Sequence, residues 1–567
     1  MKTYDTQSSA SCVAIDPITL EVVRYKLEGI ANEMQSTLLR SSFSPVVKEA
    51  LDASAAVFTP EGETLAQALA IPNHLATLIP VVCAFLEEFP TDSMKMGDVY
   101  IMNEPYLGGT HLPDIGIVTP IFHKGEVMAL AATMTHHQDV GGMTPGSIPT
   151  NATEIYQEGI RIPPLKLYDA GELNVTLAKM LRLNVRLPDT LFGDLNAQIA
   201  ACNIGSRRMS ELANVYGREQ LYVFFEELLF HSERATRARL REIPEGIYRY
   251  ADCLDNDGVE LDRRVRVEVT VTISNGSMHV DFTGTDAQVK GPLNVVESGC
   301  MAAAYFALRA ITGSDLPTNA GCFRPVSLFR PEGSLVRPIA PAPVGTRTAT
   351  IKRITGCILS AFKDVLPERV PADSSGVLFG LAFGGRDAAH RPYVLAEILT
   401  GGSGASAGSD GVDVIETDAT NCMNLPVEAL EMEIPVRVRR LELRADSGGA
   451  GTFRGGLGIV KEYEFLGTEV TFTHRGERHF GEASGSCEGH GGASAFSQIT
   501  RADGRVETIQ SKLVTTLRTG DRVVVETPGG GGYGDPGKRD RNLIEEDVAN
   551  GKVSVDAART LYGWQGD

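Results

Sequence analysis

Apolar residues recur every three or four positions at Val23, Leu27, Ile30, Met34 and Leu38, which lays a single stripe along a helix. Asp16 and Pro17 stand ahead of that stripe as N-cap and first helical residue, so the pattern predicts a helix ending near Ser41. Residues 52–67 change texture: short apolar runs flank Pro60-Glu61-Gly62, the signature of a strand pair joined by a turn. The runs at 98–102 and 126–136 are mostly apolar, lie between polar loops and read as buried strands. A helical pattern returns over 207–242, with Gly217 as its expected break.

Beyond Ile243-Pro244-Glu245-Gly246 the period becomes two. Val265, Val267, Val269, Val271 and Ile273 alternate with polar residues, and Asn275-Gly276 then leads into Met278, Val280 and Phe282, a hairpin pattern. From about residue 400 the chain is rich in glycine and short alternating strands, such as Val436, Val438, Leu441 and the run 459–465. These shifts predict a multidomain α/β chain of mixed α+β character. Its expected parts are an α/β domain at 1–245, a mixed α/β middle domain at 246–410 and a mainly β domain at 411–567. The length of 567 residues fits, since domains average about 150 residues.

Charge narrows the function. With 72 acidic against 53 basic residues the formal charge is −19, which repels phosphate backbones and anionic lipid and excludes nucleic acid as an expected partner. An anionic substrate such as ATP then needs a local positive site or another subunit. The N-terminal residues lack a secretory leader pattern and no run reaches about 18 apolar residues, so a cytoplasmic protein without membrane association is expected. Nine scattered cysteines without a C-x-x-C pair predict reduced, mostly buried thiols.

The densest chemistry lies in Gly108-Gly109-Thr110-His111-Leu112-Pro113-Asp114, where an imidazole and a carboxylate three residues apart face the same way if the loop turns once. A second cluster, His136-His137-Gln138-Asp139, follows a strand; alternation lets only one of the two histidines join His111, without saying which. Three readings stay open here: a metal site, a hydrogen-bonded structural cluster, and metal-free acid–base catalysis. Nitrogen and oxygen donors without thiolates suit Zn2+ or Mn2+. No phosphate-loop motif occurs, and no G-x-G-x-x-G follows a strand and opens a helix. The glycine runs at 401–408, 448–458 and 529–532 read as turns and close packing before phosphate binding.

The stretches 103–115, 136–142, Glu158-Gly159-Ile160-Arg161-Ile162-Pro163-Pro164, Gly451-Thr452-Phe453-Arg454-Gly455-Gly456 and 529–536 together resemble the hydantoinase B/oxoprolinase family over nearly the whole chain. That resemblance implies Asp52, His111, Asp114 and His136 as ligands of a divalent metal, Asp52 entering through Lys48-Glu49-Ala50-Leu51-Asp52. It implies a hydantoinase A-type partner of acetate-and-sugar-kinase fold that holds ATP and Mg2+, in a heterotetramer or larger assembly. The implied reaction is ATP-dependent opening of a cyclic amide, a lactam, hydantoin or oxoproline. His137 or Asp139 is the expected proton-handling residue. A ketone carboxylase subunit, a non-catalytic scaffold for the kinase-like subunit and a free-standing metallohydrolase are the competing expectations.

Overall fold

The computed structural model describes residues 16–566 apart from 314, 315 and 388. Helix α1 spans Pro17–Ser41, with the Asp16 carboxylate accepting the backbone N–H groups of Ile18 and Thr19. This supplies partners for amides that the first helical turn leaves free. Its stripe of Val23, Leu27, Ile30, Met34 and Leu38 is buried. Helix α2 spans Pro72–Glu88, and two long helices, α3 (Pro188–Tyr216) and α4 (Arg218–Leu240), meet at the predicted break, Gly217, whose φ is +79°.

Helix α3 starts at Pro188, well ahead of the predicted 207, because Gly193 and Gly205 weaken the helical signal. They serve close packing instead: a Cβ at Gly205 would stand 2.6 Å from Met34 Sδ on α1, and one at Gly193 would meet the Phe43 ring at 2.3 Å.

The first sheet takes β1 (Ala53–Phe58), β2 (Thr64–Gln67), β3 (Val99–Met102), β4 (Asp114–His123), β5 (Glu126–His136), β6 (Leu165–Asp169) and β7 (Glu172–Leu173) in the order β2-β1-β5-β4-β3-β6-β7. Helices cover both faces. Ala129 and Ala131 of β5 share a core with α1 and α3, whereas Leu130, Ala132 and Met134 share another with α2. That explains the unbroken apolar run in β5.

A second sheet is built from β8 (Gly246–Leu254), β9 (Val265–Ser274), β10 (Ser277–Asp281) and β11 (Val326–Phe329). Asn275 and Gly276, both at positive φ, close the predicted β9–β10 hairpin. Helix α5 (Glu297–Thr312) and helix α6 (Arg347–Ser360) share its core, and α6 presents its first residue to Asp114 at the start of β4.

The remaining strands form two more sheets around one core: β12 (Phe379–Arg386), β13 (Pro392–Leu399), β16 (Glu469–Arg475) and β19 (Lys512–Arg518) in one, and β14 (Val436–Leu443), β15 (Ile459–Phe465), β17 (Phe496–Thr500), β18 (Val506–Thr508) and β20 (Arg522–Glu526) in the other. The expected division at residue 410 runs through the third sheet, since β12 and β13 precede it and β16 and β19 follow it. In β14 a bulge between Val438 and Arg440 accounts for the lapse of alternation before Leu441. Among the described residues no helix is long and apolar enough to cross a membrane.

The glycine runs pack backbone on backbone. Gly449 N–H donates to Gly530 O, Gly530 N–H to Gly456 O and Gly456 N–H to Ser403 O. At Gly529 a Cβ would lie 1.8 Å from Ser447 O. Of the nine cysteines, Cys12 lies outside the described residues; Cys83 and Cys487 are exposed, Cys253 is half-buried and the rest are buried, all as free thiols.

Close packing of this kind makes a sharp stability contrast. Gly529→Ala is expected to destabilise the protein by more than about 2 kcal/mol, while Gly408→Ala, whose Cβ would meet nothing within 4 Å, changes stability by less than about 0.5 kcal/mol. Thermal and denaturant unfolding of the two variants measures the difference.

Candidate metal centre

Strand register assembles the site. In the antiparallel pair β4–β5, Asp114 stands opposite His136. On the other side of β5, Ala53 pairs with Thr135, and His136 N–H donates to Asp52 O at 3.1 Å. Asp52, His136 and Asp114 therefore end three adjacent strands. His111 arrives from the turn ahead of β4, closed by Asp114 N–H donating to His111 O at 3.0 Å. Asn103 anchors that loop by donating to Leu112 O and accepting Ile162 N–H.

The three side chains converge. His111 Nε2 lies 2.9 Å from Asp114 Oδ1 and 3.2 Å from His136 Nδ1, and His136 Nδ1 lies 3.0 Å from the same carboxylate oxygen. His111 Nδ1 is 2.9 Å from Gly345 O. A carbonyl only accepts, so Nδ1 carries the hydrogen and the neutral ring turns the Nε2 lone pair toward the cluster. The ring is neutral: burial, reinforced by the Arg347 charge, brings its pKa down to about 3. Burial alone would push the Asp114 carboxyl up, but the charges around it, with the Arg347 guanidinium in direct contact, hold it well below the usual range.

The cluster thus has three facing acceptor-type atoms and at most one proton, on His136 Nδ1, to share among them. A cation between them removes the conflict. Separations of 2.9–3.2 Å are those of donors that each stand about 2.1 Å from one ion. His111, Asp114 and His136 form a group able to hold a metal ion. Two nitrogens and one oxygen fit zinc or manganese chemistry.

Other residues fix the second carboxylate oxygen. Thr110 Oγ1 donates to Asp114 Oδ2 at 2.8 Å, and the Arg347 guanidinium donates both to Oδ2 and, at 2.6 Å, to Thr110 Oγ1. This leaves Oδ1 for the imidazoles. Glu158 accepts the backbone N–H groups of Val344 and Gly345, and so holds the carbonyl that orients His111. Burial pushes the Glu158 carboxyl up to about 8.

Asp52 lines the same cavity but stands nearer to His74, whose Nε2 lies 3.4 Å from Asp52 Oδ1 and 3.6 Å from Asp114 Oδ2. His137 and Asp139 do not reach the cavity. His137 faces α3 through Thr135 Oγ1 and Gln198 Oε1, while Asp139 accepts the Gly141 and Gly146 amides and pairs with Arg186. Strand alternation is the reason: His136 shares the α2-facing side of Met134, and His137 shares the opposite side with Thr135.

Sequence reasoning did not single out His74 and Arg347. His74, on the first turn of α2, carries no local mark. Arg347 does carry one, because a cation at the first residue of a helix opposes the helix dipole and calls for a nearby anion, here Asp114.

A family model described as hydantoinase B/oxoprolinase matches residues 16–536. The beta chain of caprolactamase from Pseudomonas jessenii is 34% identical over 563 residues, covering 97% of this chain and 96% of that one. The B component of a putative D-/L-hydantoinase from Pseudomonas sp. (strain NS671) is 32% identical over 572 residues, covering 97% and 95%. A solved structure of ATP-dependent caprolactamase from Pseudomonas jessenii superposes with a TM-score of 0.89 at 33% identity, covering 98% of this chain and 97% of that one.

The raised pKa of Glu158 has a defined sign in stability. A carboxyl at about 8 when folded, against an ordinary value near 4.5, contributes stability below pH 4.5 that is lost as pH rises through about 8. The melting temperature of the wild type is therefore expected to fall more steeply between pH 5 and 8.5 than that of Glu158→Gln. Parallel curves for the two proteins refute this.

Proposed function

The chain belongs to the hydantoinase B/oxoprolinase family and is of the hydantoinase, oxoprolinase and caprolactamase type, and from that premise we propose that it is the metal-binding subunit of a heteromeric, ATP-dependent amidohydrolase. The substrate class is a cyclic amide: a lactam, hydantoin or oxoproline. The observation that carries the reading is the buried convergence of His111 Nε2, Asp114 Oδ1 and His136 Nδ1 with too few protons to serve them.

In this reading those three atoms hold a divalent cation, zinc or manganese, with Asp52 as a fourth donor from the neighbouring strand end. Bound there, the cation supplies Lewis acidity, which polarises a carbonyl and acidifies water. Arg347 and Thr110 keep Asp114 Oδ2 occupied and so aim Oδ1 at the cation. Gly345 O fixes the His111 tautomer that exposes Nε2. His74, beside Asp52 and with Nδ1 lacking a partner among the described residues, takes the proton released by the attacking water.

The nucleotide belongs to the partner, a kinase-like polypeptide of the hydantoinase A type. Transfer of the γ-phosphoryl group to the amide oxygen releases ADP and removes amide resonance. Water then adds at the carbonyl carbon, the ring C–N bond opens with the nitrogen leaving as the amine to give an acyl phosphate, and a second water releases phosphate and leaves the carboxylate. The absence of a phosphate-loop motif and the charge of −19 support nucleotide binding outside this chain.

Two measurements test the proposal. The purified chain is expected to contain about one zinc or manganese ion, and His111→Ala to lose it while still folding; a metal-replete His111→Ala with full turnover sinks the assignment. Reconstituted with its kinase-like partner, the protein is expected to hydrolyse ATP only when a lactam or hydantoin is present, and His74→Ala to lower that rate by about 100-fold or more. ATP use driven instead by a ketone with bicarbonate marks a carboxylase, and activity of the isolated chain marks a free-standing hydrolase.

A further inference from the structure

Six arginines are buried among the described residues, and five of them are paired with carboxylates. Arg347 meets Asp114, Arg353 and Arg478 meet Asp252, Arg454 meets Asp413 and Asp547, and Arg539 meets Asp410 and Asp547. The sixth, Arg475, is 5% exposed, and its Nε has no hydrogen-bond partner. Its guanidinium takes part in no ion pair among the described residues. The Glu416 and Asp52 carboxylates act on it only from beyond ion-pairing distance, and a buried cation without a contacting counter-charge is disfavoured unless something completes it.

Its setting is built. Arg475 ends β16 directly across from Gly380 of β12. A Cβ at Gly380 would stand 2.8 Å from Nη2 and 2.9 Å from Nε, so the guanidinium lies over a backbone position stripped of its side chain. From there it lines the cavity that also contains His111, Asp114 and His136, on the wall contributed by the third sheet. Burial, with Arg347 adding to it, outweighs the more distant Glu416 and Asp52 carboxylates and lowers its pKa to about 10, which still leaves it charged at neutral pH.

We propose that Arg475, seated over Gly380, is the oxyanion anchor of this cavity: it holds an anionic group of the substrate across from the His111–Asp114–His136 cluster. The planar fork of a guanidinium matches the paired oxygens of a carboxylate or a phosphoryl group. Both sources are chemically available: a carboxylate carried by the cyclic amide, or the phosphoryl group placed on the amide during activation. On a chain of net charge −19, a dedicated buried cation is what admits either one. The inference rests on the reading of this cavity as the reaction chamber.

The test titrates the purified full-length chain calorimetrically with inorganic phosphate, with 2-pyrrolidone-5-carboxylate and with neutral 2-pyrrolidone, while metal content is measured on the same samples. At least one anion is expected to bind more tightly than the neutral lactam, and the one that does identifies the source. Arg475→Gln should weaken that binding by about ten-fold or more, and Arg475→Lys, which keeps charge but loses the fork, by less. Gly380→Ala should weaken it with Arg475 still in place, which preserves the test if Arg475→Gln fails to fold. Metal content should be unchanged in all three. Equal anion binding by wild type and Arg475→Gln, or no binding of either anion by wild type, overturns the inference and leaves the metal assignment standing. Arg475-dependent binding by a wild-type chain that holds no metal overturns the assignment and leaves the inference.

Discussion

Asp114 is the constraint around which the site is organised. A carboxylate with no solvent exposure cannot remain charged unless opposing charge and hydrogen bonds surround it. Here one oxygen is satisfied by Thr110 and Arg347, and the other faces two imidazoles. Since His111 spends its only neutral-state proton on Gly345 O, the second oxygen lies in an electron-rich corner that a cation completes. The chemistry assigned to the chain follows from that imbalance.

Holding such an arrangement requires rigid supports drawn from far along the chain. The β1–β5–β4 ladder fixes Asp52, His136 and Asp114 through backbone hydrogen bonds, which no side-chain rotamer change can undo. Arg347 reaches the cluster because α6 is packed on the second sheet, and Gly345 reaches it because Glu158 clamps the preceding loop. Donor atoms held by three separate layers move little relative to one another, and this preorganisation strengthens electrostatics inside a dry cavity.

The third sheet closes the cavity from the other side and supplies groups of opposite character. Glu397 is neutralised within the sandwich by Lys461 and Tyr463, whereas Arg475 makes no ion pair among the described residues and its Nε has no partner. Interleaved glycine segments tie that sandwich together at backbone contact distance, so its position is set by hydrogen-bonded main chain rather than by adaptable side chains.

By itself the sequence determined whatever depends on neighbours along the chain: the stripe of α1, the break at Gly217, the Asn275-Gly276 hairpin, and the one-turn loop that points His111 and Asp114 together. Periodicity and local hydrogen bonding act over a few residues, so the residue pattern carries them in full. It could not choose between His136 and His137, because alternation says only that they face opposite ways; the packing of α2 and α3 on opposite sides of the sheet decided which side is the cavity. Nor did any local pattern single out His74 or Arg475, or bring Gly345 to His111 across 234 residues. Those roles exist only where distant backbone segments meet, since burial and unpaired charge are properties of the assembled layers and not of any stretch of chain.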